Sequence, residues 1–246
     1  MQKELALSKK KIVIHGGSSD LTKNIIGLLY HDYDKFFVFC NNLILCKKNL
    51  NEYKKKIIFI KNNLQNFKQT LSCLKKLPKN LNGVIWISGS TGNAKNEFKD
   101  FSLCQSTIKI NFLNVILSIN YLLKNKLNLN KSSFLCVVTS VAGLRGRKIN
   151  IFYGACKAGL ISYLSSLRQK YNQQIRILTI IPGYIKTKRF KKKTLKFLVS
   201  TAFKAASIIV KALKTNKEVV YIDFKWKLIM FIIKLIPEKI FKKLNF

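Results

Sequence analysis

Short apolar runs alternate with amphipathic stretches along almost the whole chain of 246 residues. Apolar runs bounded by polar or glycine-rich turns are typical of buried parallel strands, whereas apolar residues three and four positions apart are typical of helices packed on a sheet. The pattern predicts strands at 11–15, 36–40, 57–60, 84–87, 134–138, 175–181 and 219–222. It predicts helices at about 21–30, 43–54, 64–77, 99–125, 151–171 and 200–214.

This repetition of strand and helix predicts an α/β fold with a single doubly wound parallel sheet of about seven strands and helices on both faces. A chain of 246 residues is long enough to bury the core of one such domain. Ligands of these Rossmann-like sheets bind beyond the carboxyl ends of the strands. We therefore expect the chemistry in the turns that follow the strands.

The composition adds a strong positive charge. The chain has 46 basic and 10 acidic residues, a net charge of +36, and only five of the basic residues are arginine (145, 147, 168, 176 and 189). Either the surface is built for polyanions, or the composition supplies lysine wherever a polar surface residue is needed. Arginine is the usual bidentate ligand of phosphates and guanines, so its scarcity favours the second interpretation. No specific nucleic-acid partner is expected.

Six cysteines are scattered at 40, 46, 73, 104, 136 and 156, without a CxxC pair or a histidine cluster. This spacing predicts neither a disulfide framework nor a metal site, and the cysteines are interpreted as small apolar residues in a reducing compartment. Residues 1–11 contain no apolar stretch long enough for a signal peptide. We expect a cytoplasmic protein.

Small and hydroxyl-bearing residues follow several predicted strands. The first strand is followed by glycines at 16 and 17 and serines at 18 and 19, where the backbone can approach a pyrophosphate resting on the next helix N-terminus. Residues 88–92 follow the fourth strand and would let a flat ligand lie close to the backbone. At 182–183, a proline ends the hydrogen bonding of the sixth strand and a glycine opens room against a ring.

Tyr153 and Lys157 lie four positions apart in a predicted helix and therefore on one face of it. A cation beside a phenol stabilises the phenolate and lowers its pKa from about 10 towards neutrality. A tyrosine of this kind can give or take a proton at physiological pH. Ser140 ends the fifth strand, and Asn111 lies in the long helix beside the expected cleft.

Taken together, these residues resemble the short-chain dehydrogenase/reductase family over nearly the whole chain. The Tyr-x-x-x-Lys pair of the family matches Tyr153 and Lys157, its serine matches Ser140 and its helix asparagine matches Asn111. The resemblance implies a catalytic set of Asn111, Ser140, Tyr153 and Lys157. It also implies a cofactor site formed by Gly16, Gly17, Ser18, Ser19, Asp20, Leu21, Asn41, Asn63, Ser88, Gly89, Tyr153, Lys157, Pro182, Gly183, Ile185 and Thr187.

The implied activity is hydride transfer between a nicotinamide cofactor and a carbonyl or alcohol. Tyr153 would exchange the proton, and Ser140 would orient the carbonyl oxygen. Lys157 would lower the Tyr153 pKa and hold the nicotinamide ribose, while Asn111 would position a water. Thr187 stands where a hydroxyl usually meets the nicotinamide carboxamide. A homo-oligomer is expected.

The nucleotide turn departs from the family pattern, because His15, Asp20 and Thr22 replace a threonine and two glycines. A side chain at Thr22 is expected to push the helix off the sheet and to weaken or reshape pyrophosphate binding. A serine–aspartate pair in this turn gives a looser resemblance to a subgroup that acts on polyprenyl-phosphate-linked sugars and envelope polysaccharides.

The second strand ends at Cys40-Asn41-Asn42 and lacks the acid that usually bonds the ribose hydroxyls of NAD. Lysines follow at 47 and 48, so NADP(H) is favoured over NAD(H). Asn63 stands where the family commonly has an aspartate that contacts adenine. The alternative interpretation is that Asn63 is a solvent-exposed loop residue.

Two basic segments follow the sixth strand. The stretch 188–197 carries several cations where the family covers its substrate, which indicates either an anionic substrate or a solvated lysine-rich loop. The chain is divided into an NAD(P)-binding Rossmann-like domain, 1–223, and a C-terminal amphipathic tail, 224–246. The longest uncharged run of the tail, 228–233, is far shorter than the ~20 residues of a spanning helix. The tail either caps the fold, forms a subunit interface, or lies on an anionic membrane at its inner face, and the last is slightly favoured.

The leading hypothesis is an NADP(H)-dependent carbonyl reductase acting on an anionic or lipid-linked sugar substrate. A 3-oxoacyl-carrier reductase is the enzymatic alternative. From other classes, a non-catalytic dinucleotide-binding scaffold and a basic nucleic-acid binder stay open.

Overall fold

The computed structural model describes residues 9–91, 100–187 and 195–244. Its strands are β1 (Lys11–His15), β2 (Lys35–Cys40), β3 (Ile57–Lys61), β4 (Gly83–Trp86), β5 (Phe134–Val138), β6 (Arg176–Pro182), β7 (Tyr184–Lys186), β8 (Val199–Thr201) and β9 (Val219–Ile222). Its α-helices are α1 (Asp20–Leu29), α2 (Leu43–Asn49), α3 (Phe67–Lys75), α4 (Phe101–Ile108), α5 (Asn114–Asn125), α6 (Ile151–Lys170), α7 (Ala202–Leu213), α8 (Phe224–Leu235) and α9 (Glu238–Phe241). Short 3₁₀ turns cover Asn51–Lys56, Val141–Gly143 and Lys196–Leu198.

In the part of the chain that the structure describes, seven strands form one parallel sheet in the order β3-β2-β1-β4-β5-β6-β9. The chain runs outward from β1 to β3 and then returns to the other side of β1, so the direction of winding reverses between β1 and β4. A crevice opens at the carboxyl end of the sheet at such a reversal. The predicted α/β fold with a doubly wound Rossmann-like sheet is confirmed.

Helices cover both faces of the sheet, because the central strands are apolar on both sides. On one face, α1 and α7 bury Ile25 and Ile209. On the other face, α5 and α6 bury Ile119 and Leu164. These two layers hold the central strands in place, so the turns at their carboxyl ends project from a rigid scaffold.

The structure differs from the predicted helix boundaries in two places. The helix predicted at 43–54 divides into α2 and the 3₁₀ turn Asn51–Lys56, since asparagines at 49 and 51 are weak helix formers. The helix predicted at 99–125 contains a π-helical turn at Lys109–Leu113. The short parallel pair β7-β8 was not predicted.

The helical stretch Phe101–Asn125 is, within the described ranges, the one helix with the length and apolar composition to cross a bilayer. A core helix of a globular protein has the same composition. Its inner side, which includes Val115, Ile119 and Leu122, is buried in the core between α5 and the sheet. The apolar character of this helix is therefore explained by packing on the sheet.

The C-terminal tail forms α8 and α9. Trp226 and Met230 of α8 are buried and form a small apolar cluster with Val141 and Ile181, which lie next to the turns after β5 and β6. The opposite side of α8 is exposed at Phe224, Leu228, Phe231, Ile232 and Leu235. One side of the helix thus caps the carboxyl end of the sheet, and the other side leaves apolar surface uncovered.

Candidate active site

Ser140 lies directly beyond the carboxyl end of β5. The preceding residue, Thr139, is anchored to β6 through its backbone N–H and its hydroxyl, which both donate to the carbonyl of Ile180 at 2.8 Å. The Ser140 hydroxyl accepts the N–H of Ala142 at 3.1 Å and so begins the 3₁₀ turn Val141–Gly143. The hydroxyl is therefore held at the edge of the sheet by the strand on one side and by the turn on the other.

Tyr153 and Lys157 lie on the first two turns of α6, which starts after Asn150 in the left-handed conformation (φ 56°). The Lys157 ammonium donates to the carbonyl of Val138, at the end of β5, at 3.2 Å. Its nitrogen lies 5.5 Å from the centre of the Tyr153 ring. The Tyr153 phenol is hydrogen-bonded to the Ser140 side chain. The structure therefore brings these three predicted residues together.

The electrostatics of the pair differ from the sequence prediction. Burial raises the pKa of Tyr153, while the hydrogen bond from Ser140 and the positive charge of Arg147 lower it without cancelling the effect of burial. Burial also lowers the pKa of Lys157 to about 8. The expectation that Lys157 pulls the Tyr153 pKa towards neutrality is wrong for this structure, because removing the phenol from water outweighs the nearby cations.

Asn111 is completely buried in the π-helical turn Lys109–Leu113. Its amide nitrogen donates to the carbonyls of Ser90 and Thr107 at 2.7 and 2.8 Å, and its amide oxygen accepts the N–H of Ser90 at 2.9 Å. A side chain on Gly89 would stand about 3 Å from both the Asn111 oxygen and the Lys157 nitrogen. Asn111 therefore ties the turn after β4 to the Tyr153 and Lys157 side of the cleft.

The turn after β1 faces the turn after β4 across the crevice. Gly16 has φ +108°, which side chains disfavour, and a Cβ there would stand 3.1 Å from the Ser88 nitrogen. The N–H groups of Gly16 and Gly17 both donate to the carbonyl of Phe39 at 3.0 Å. Ser19 caps α1 by accepting the N–H of Leu21 at 3.2 Å. This geometry fits a phosphate-bearing nucleotide, because the start of α1 is presented at the crevice.

The three departures in this turn are accommodated in different ways. His15 is buried between the rings of Phe39 and Trp86, at 4.2 and 3.8 Å between ring centres, and burial lowers its pKa to about 3. The Thr22 hydroxyl donates to the carbonyl of Gly16 at 2.6 Å, so this side chain fastens the turn to α1. Asp20 stands in the first turn of α1 and places a negative charge beside the expected pyrophosphate position.

The adenine side of the predicted site has no carboxylate at the end of β2. Asn41 is exposed, and the neighbouring Asn42 caps α2 by accepting the N–H of Leu45 at 2.9 Å. Asn63 is also exposed, and its amide oxygen accepts the N–H of Gln65 at 3.0 Å. Its oxygen therefore already stabilises the loop, which agrees with the alternative prediction that Asn63 is a solvent-exposed loop residue.

The turn after β6 meets the tail. A Cβ on Gly183 would stand 2.0 Å from the indole of Trp226, and the indole N–H donates to the carbonyl of Leu198 at 3.0 Å. The ring that packs against Gly183 on this side is therefore the indole of Trp226. Ile185 belongs to β7, and Thr187 ends the described segment that follows it. The predicted basic stretch 188–197 lies mostly outside the described residues.

Sequence reasoning missed the loop between Ser140 and α6. Arg145 forms an ion pair with Glu238 at 2.7 Å, donates to the carbonyl of Ile236 at 3.1 Å, and lies over the ring of Phe241 at 4.4 Å. Arg147 interacts electrostatically with Tyr153. The scarcity of arginine was the available signal, since two of the five arginines lie within one stretch of three residues in this loop.

No group of three or more histidine, cysteine, aspartate or glutamate side chains that could hold a metal ion occurs among the described residues. All six cysteines are free thiols, and five of them are buried.

Comparison with known proteins agrees with this geometry. Two uncharacterized oxidoreductases, from Mycobacterium tuberculosis and Streptomyces coelicolor, are 30% and 27% identical to this chain over 111 residues, or 45% of it. The match spans 45% and 44% of the lengths of these relatives, so it is less than half of either protein.

Solved structures share the fold at low identity. A short-chain dehydrogenase/reductase from Vibrio parahaemolyticus has a TM-score of 0.72 at 18% identity, with 85% of this chain and 97% of the other covered. A short chain dehydrogenase from Burkholderia cenocepacia, in complex with NADP, has a TM-score of 0.75 at 13% identity, with 96% and 97% covered. The sequence profile of the family described as short chain dehydrogenase matches residues 10–196, which include every candidate catalytic residue. The chain therefore belongs to the short chain dehydrogenase family.

Proposed function

We propose that the protein is an NAD(P)(H)-dependent oxidoreductase that interconverts a carbonyl and an alcohol, with Tyr153 as the acid–base group. One observation supports this most directly. The phenol of Tyr153, the hydroxyl of Ser140 and the ammonium of Lys157 lie together at the carboxyl end of β5, and the phenol and hydroxyl are hydrogen-bonded. Such a set can protonate an oxygen atom and orient it at the same time.

A bound nicotinamide would supply or accept the hydride. Tyr153 would donate its proton to the developing alkoxide, and Ser140 would hydrogen-bond to the same oxygen. Lys157 would hold ribose hydroxyls of the cofactor. Asn111, whose amide is bonded to the backbone of Ser90 and Thr107, would keep the turn after β4 in place beside the proton path.

The test is Tyr153→Phe, which removes the exchangeable proton and keeps the ring. We expect turnover to fall by about 10²- to 10⁴-fold. Cofactor binding, measured by the change in NADPH fluorescence, should stay within about twofold. The matched control is Tyr171→Phe, at the residue that follows the far end of α6. Turnover near the wild-type rate in Tyr153→Phe would refute the mechanism.

We also propose NADP(H) as the cofactor. No carboxylate follows β2 to repel a 2′-phosphate, and lysines 47 and 48 are exposed on α2 close to that strand end. Turnover with NADPH should exceed turnover with NADH, and the preference should shrink when both lysines are changed to glutamine. A preference for NADH in the wild-type protein would reject this part of the proposal.

The proposed substrate is a carbonyl compound that carries an anionic group or a lipid-linked sugar, and a 3-oxoacyl-carrier substrate is the second candidate. The strong positive charge of the protein suits both candidates, since it attracts acyl carriers as well as phosphates. A non-catalytic scaffold would bind nucleotide without turnover. A nucleic-acid binder would show salt-sensitive, sequence-independent binding and no turnover.

We propose that the tail 224–246 serves both as a cap and as a contact surface for an anionic membrane, which makes the cytoplasmic protein peripheral. The exposed side of α8 presents Phe224, Leu228, Phe231 and Leu235 in a stripe, with lysines 225, 227 and 234 beside it. This combination suits an interfacial helix. Vesicle flotation at low salt should be reduced in Phe231→Ser/Leu235→Ser and kept in Lys211→Gln. Equal flotation of both variants would contradict the membrane role.

We further propose that the protein is a homo-oligomer, for which exposed Phe101, Ile108 and Leu113 on the α4–α5 segment offer apolar surface. Analytical ultracentrifugation of the full chain measures this directly. A single monomeric species at micromolar concentration would reject it.

A further inference from the structure

A cavity of about 760 Å³ opens between the loop 144–148, which follows the 3₁₀ turn begun by Ser140, and the end of the tail. Its lining is formed by Leu144, Arg145, Gly146, Arg147, Lys148, Glu238, Phe241, Lys242 and Leu244. Four cationic side chains and one carboxylate are therefore part of this lining, which makes it predominantly positive. A concave site of this charge is suited to a group with more than one negative charge.

Arg145 and Glu238 join the two walls of the cavity, which are the loop and the tail. The guanidinium of Arg145 pairs with the Glu238 carboxylate at 2.7 Å, donates to tail carbonyls at 234 and 236, and covers the Phe241 ring. These contacts bind the tail to the loop that follows the turn of Ser140. Because the pair neutralises both charges, Arg147 and Lys242 supply the positive charge of the cavity beyond that pair.

Arg147 connects the cavity with the reaction centre. It lies between Ser140 and Tyr153 in sequence, and its positive charge opposes the rise in the Tyr153 pKa that burial causes. Arg147 therefore belongs both to the lining of the cavity and to the electrostatic surroundings of the Tyr153 phenol. Arginine is also the residue that binds phosphate oxygens in a bidentate way, in a chain where lysine supplies nearly all other positive charge.

We infer that this cavity binds a phosphate group of the substrate, with Arg147 as the principal ligand and Lys242 as the supporting cation. The inference rests on the proposed function, because the bound phosphate positions a carbonyl carried by the same molecule at Tyr153 and Ser140. The substrate class is then a phosphate ester with a carbonyl group. The phosphate belongs either to a soluble compound or to a lipid-linked one.

The binding test uses phenyl phosphate as the probe, titrated calorimetrically into the full chain at low salt. Arg147→Gln should weaken binding by about tenfold to a hundredfold, as the loss of charge-assisted hydrogen bonds would. The matched control is Lys211→Gln, which removes the same charge from an exposed position of α7 outside the cavity. Equal weakening in the two variants would overturn the inference, since the charge of the whole protein would then explain binding.

The turnover test compares dihydroxyacetone phosphate with dihydroxyacetone. Wild-type kcat/KM should favour the phosphate ester by about tenfold or more, and Arg147→Gln should reduce this ratio towards one. Turnover of both ketones without any preference would overturn the inference and leave the proposed function intact. Phosphate binding at Arg147 without turnover of any carbonyl would refute the proposed function alone.

A third measurement separates the two sources of the phosphate. Vesicles of phosphatidylcholine with and without phosphatidic acid are floated with the wild-type protein and with Arg147→Gln. Loss of the phosphatidic-acid dependence in the variant assigns the cavity to a lipid phosphate. An unchanged dependence, together with weaker phenyl phosphate binding, assigns it to a soluble phosphate ester.

Discussion

The two sides of the cleft depart from the family pattern in opposite ways. On the nucleotide side, the motif itself is altered at His15, Asp20 and Thr22, yet two of these side chains are absorbed into local packing. On the reaction side, the motif residues are unaltered, but their surroundings are formed by the tail and by the loop that carries Arg145 and Arg147. Substitutions on the first side should therefore act through local packing, and those on the second side through the position of the tail and of the loop.

A substitution within a motif therefore need not change the site, and an unaltered motif can lie in altered surroundings. His15 fills the space between Phe39 and Trp86 as an aromatic core residue would. Thr22 stands where the family has a glycine, and its hydroxyl adds a hydrogen bond to the Gly16 carbonyl. Neither change removes the helix N-terminus that a phosphate would meet. By contrast, Trp226 comes from the far end of the chain and decides what lies against Gly183.

The largest effect on the nucleotide side is expected from His15 in acid. Its pKa is about 3 in the folded protein and 6.5 when unperturbed, so the unfolded state binds a proton first as the pH falls. Stability due to the neutral ring is complete above pH 6.5 and declines towards pH 3. Between pH 7.5 and 4.5 we expect a loss of about 2–3 kcal/mol in the free energy of unfolding from this residue.

The measurement is urea unfolding at the two pH values for the wild-type protein, His15→Phe and His31→Phe. The His15 variant should lose less stability on acidification than the wild type, whereas the variant of the exposed His31 should behave like the wild type. The same pH dependence in all three proteins would show that His15 is not a buried neutral ring.

Gly183→Ala should have the next largest effect, because the new methyl group would stand 2.0 Å from the Trp226 indole. We expect a loss of about 1–3 kcal/mol, as for other overpacked cores, together with displacement of α8. Thermal unfolding and the fluorescence of Trp226 measure these changes. The double variant Gly183→Ala/Trp226→Leu should recover part of the loss. Full stability in Gly183→Ala alone would contradict the position of α8.

Thr22→Val should have the smallest effect, since it keeps the shape of the side chain and removes the hydrogen bond to the Gly16 carbonyl. We expect about 1–2 kcal/mol of destabilisation, because the carbonyl loses a buried partner. The comparison variant is Thr201→Val, where an exposed hydroxyl caps α7. Stabilisation by Thr22→Val would show that the hydrogen bond of the hydroxyl does not stabilise the turn.

The elements of the fold could be predicted because they depend on local patterns. The strand β5 is apolar at every position. Tyr153 and Lys157 share a helix face because any two helical residues four positions apart do so. The burial of Asn111 could not be predicted, since it depends on hydrogen bonds to Ser90, which is 21 positions away. Neither could the pKa of Tyr153, whose direction is set by how deeply the phenol is buried.

The sequence by itself determined the order of strands and helices, the family and the residue types at the proposed reaction centre. The elements follow from periodicity, and the family follows from the resemblance of several short motifs placed in order along the chain. Only the tertiary structure decided that Arg145 pairs with Glu238 across 93 positions, that Trp226 covers Gly183, and that Arg147 lies beside a cationic cavity. The physical reason is that such contacts depend on where distant elements pack, and packing is a property of the whole folded chain.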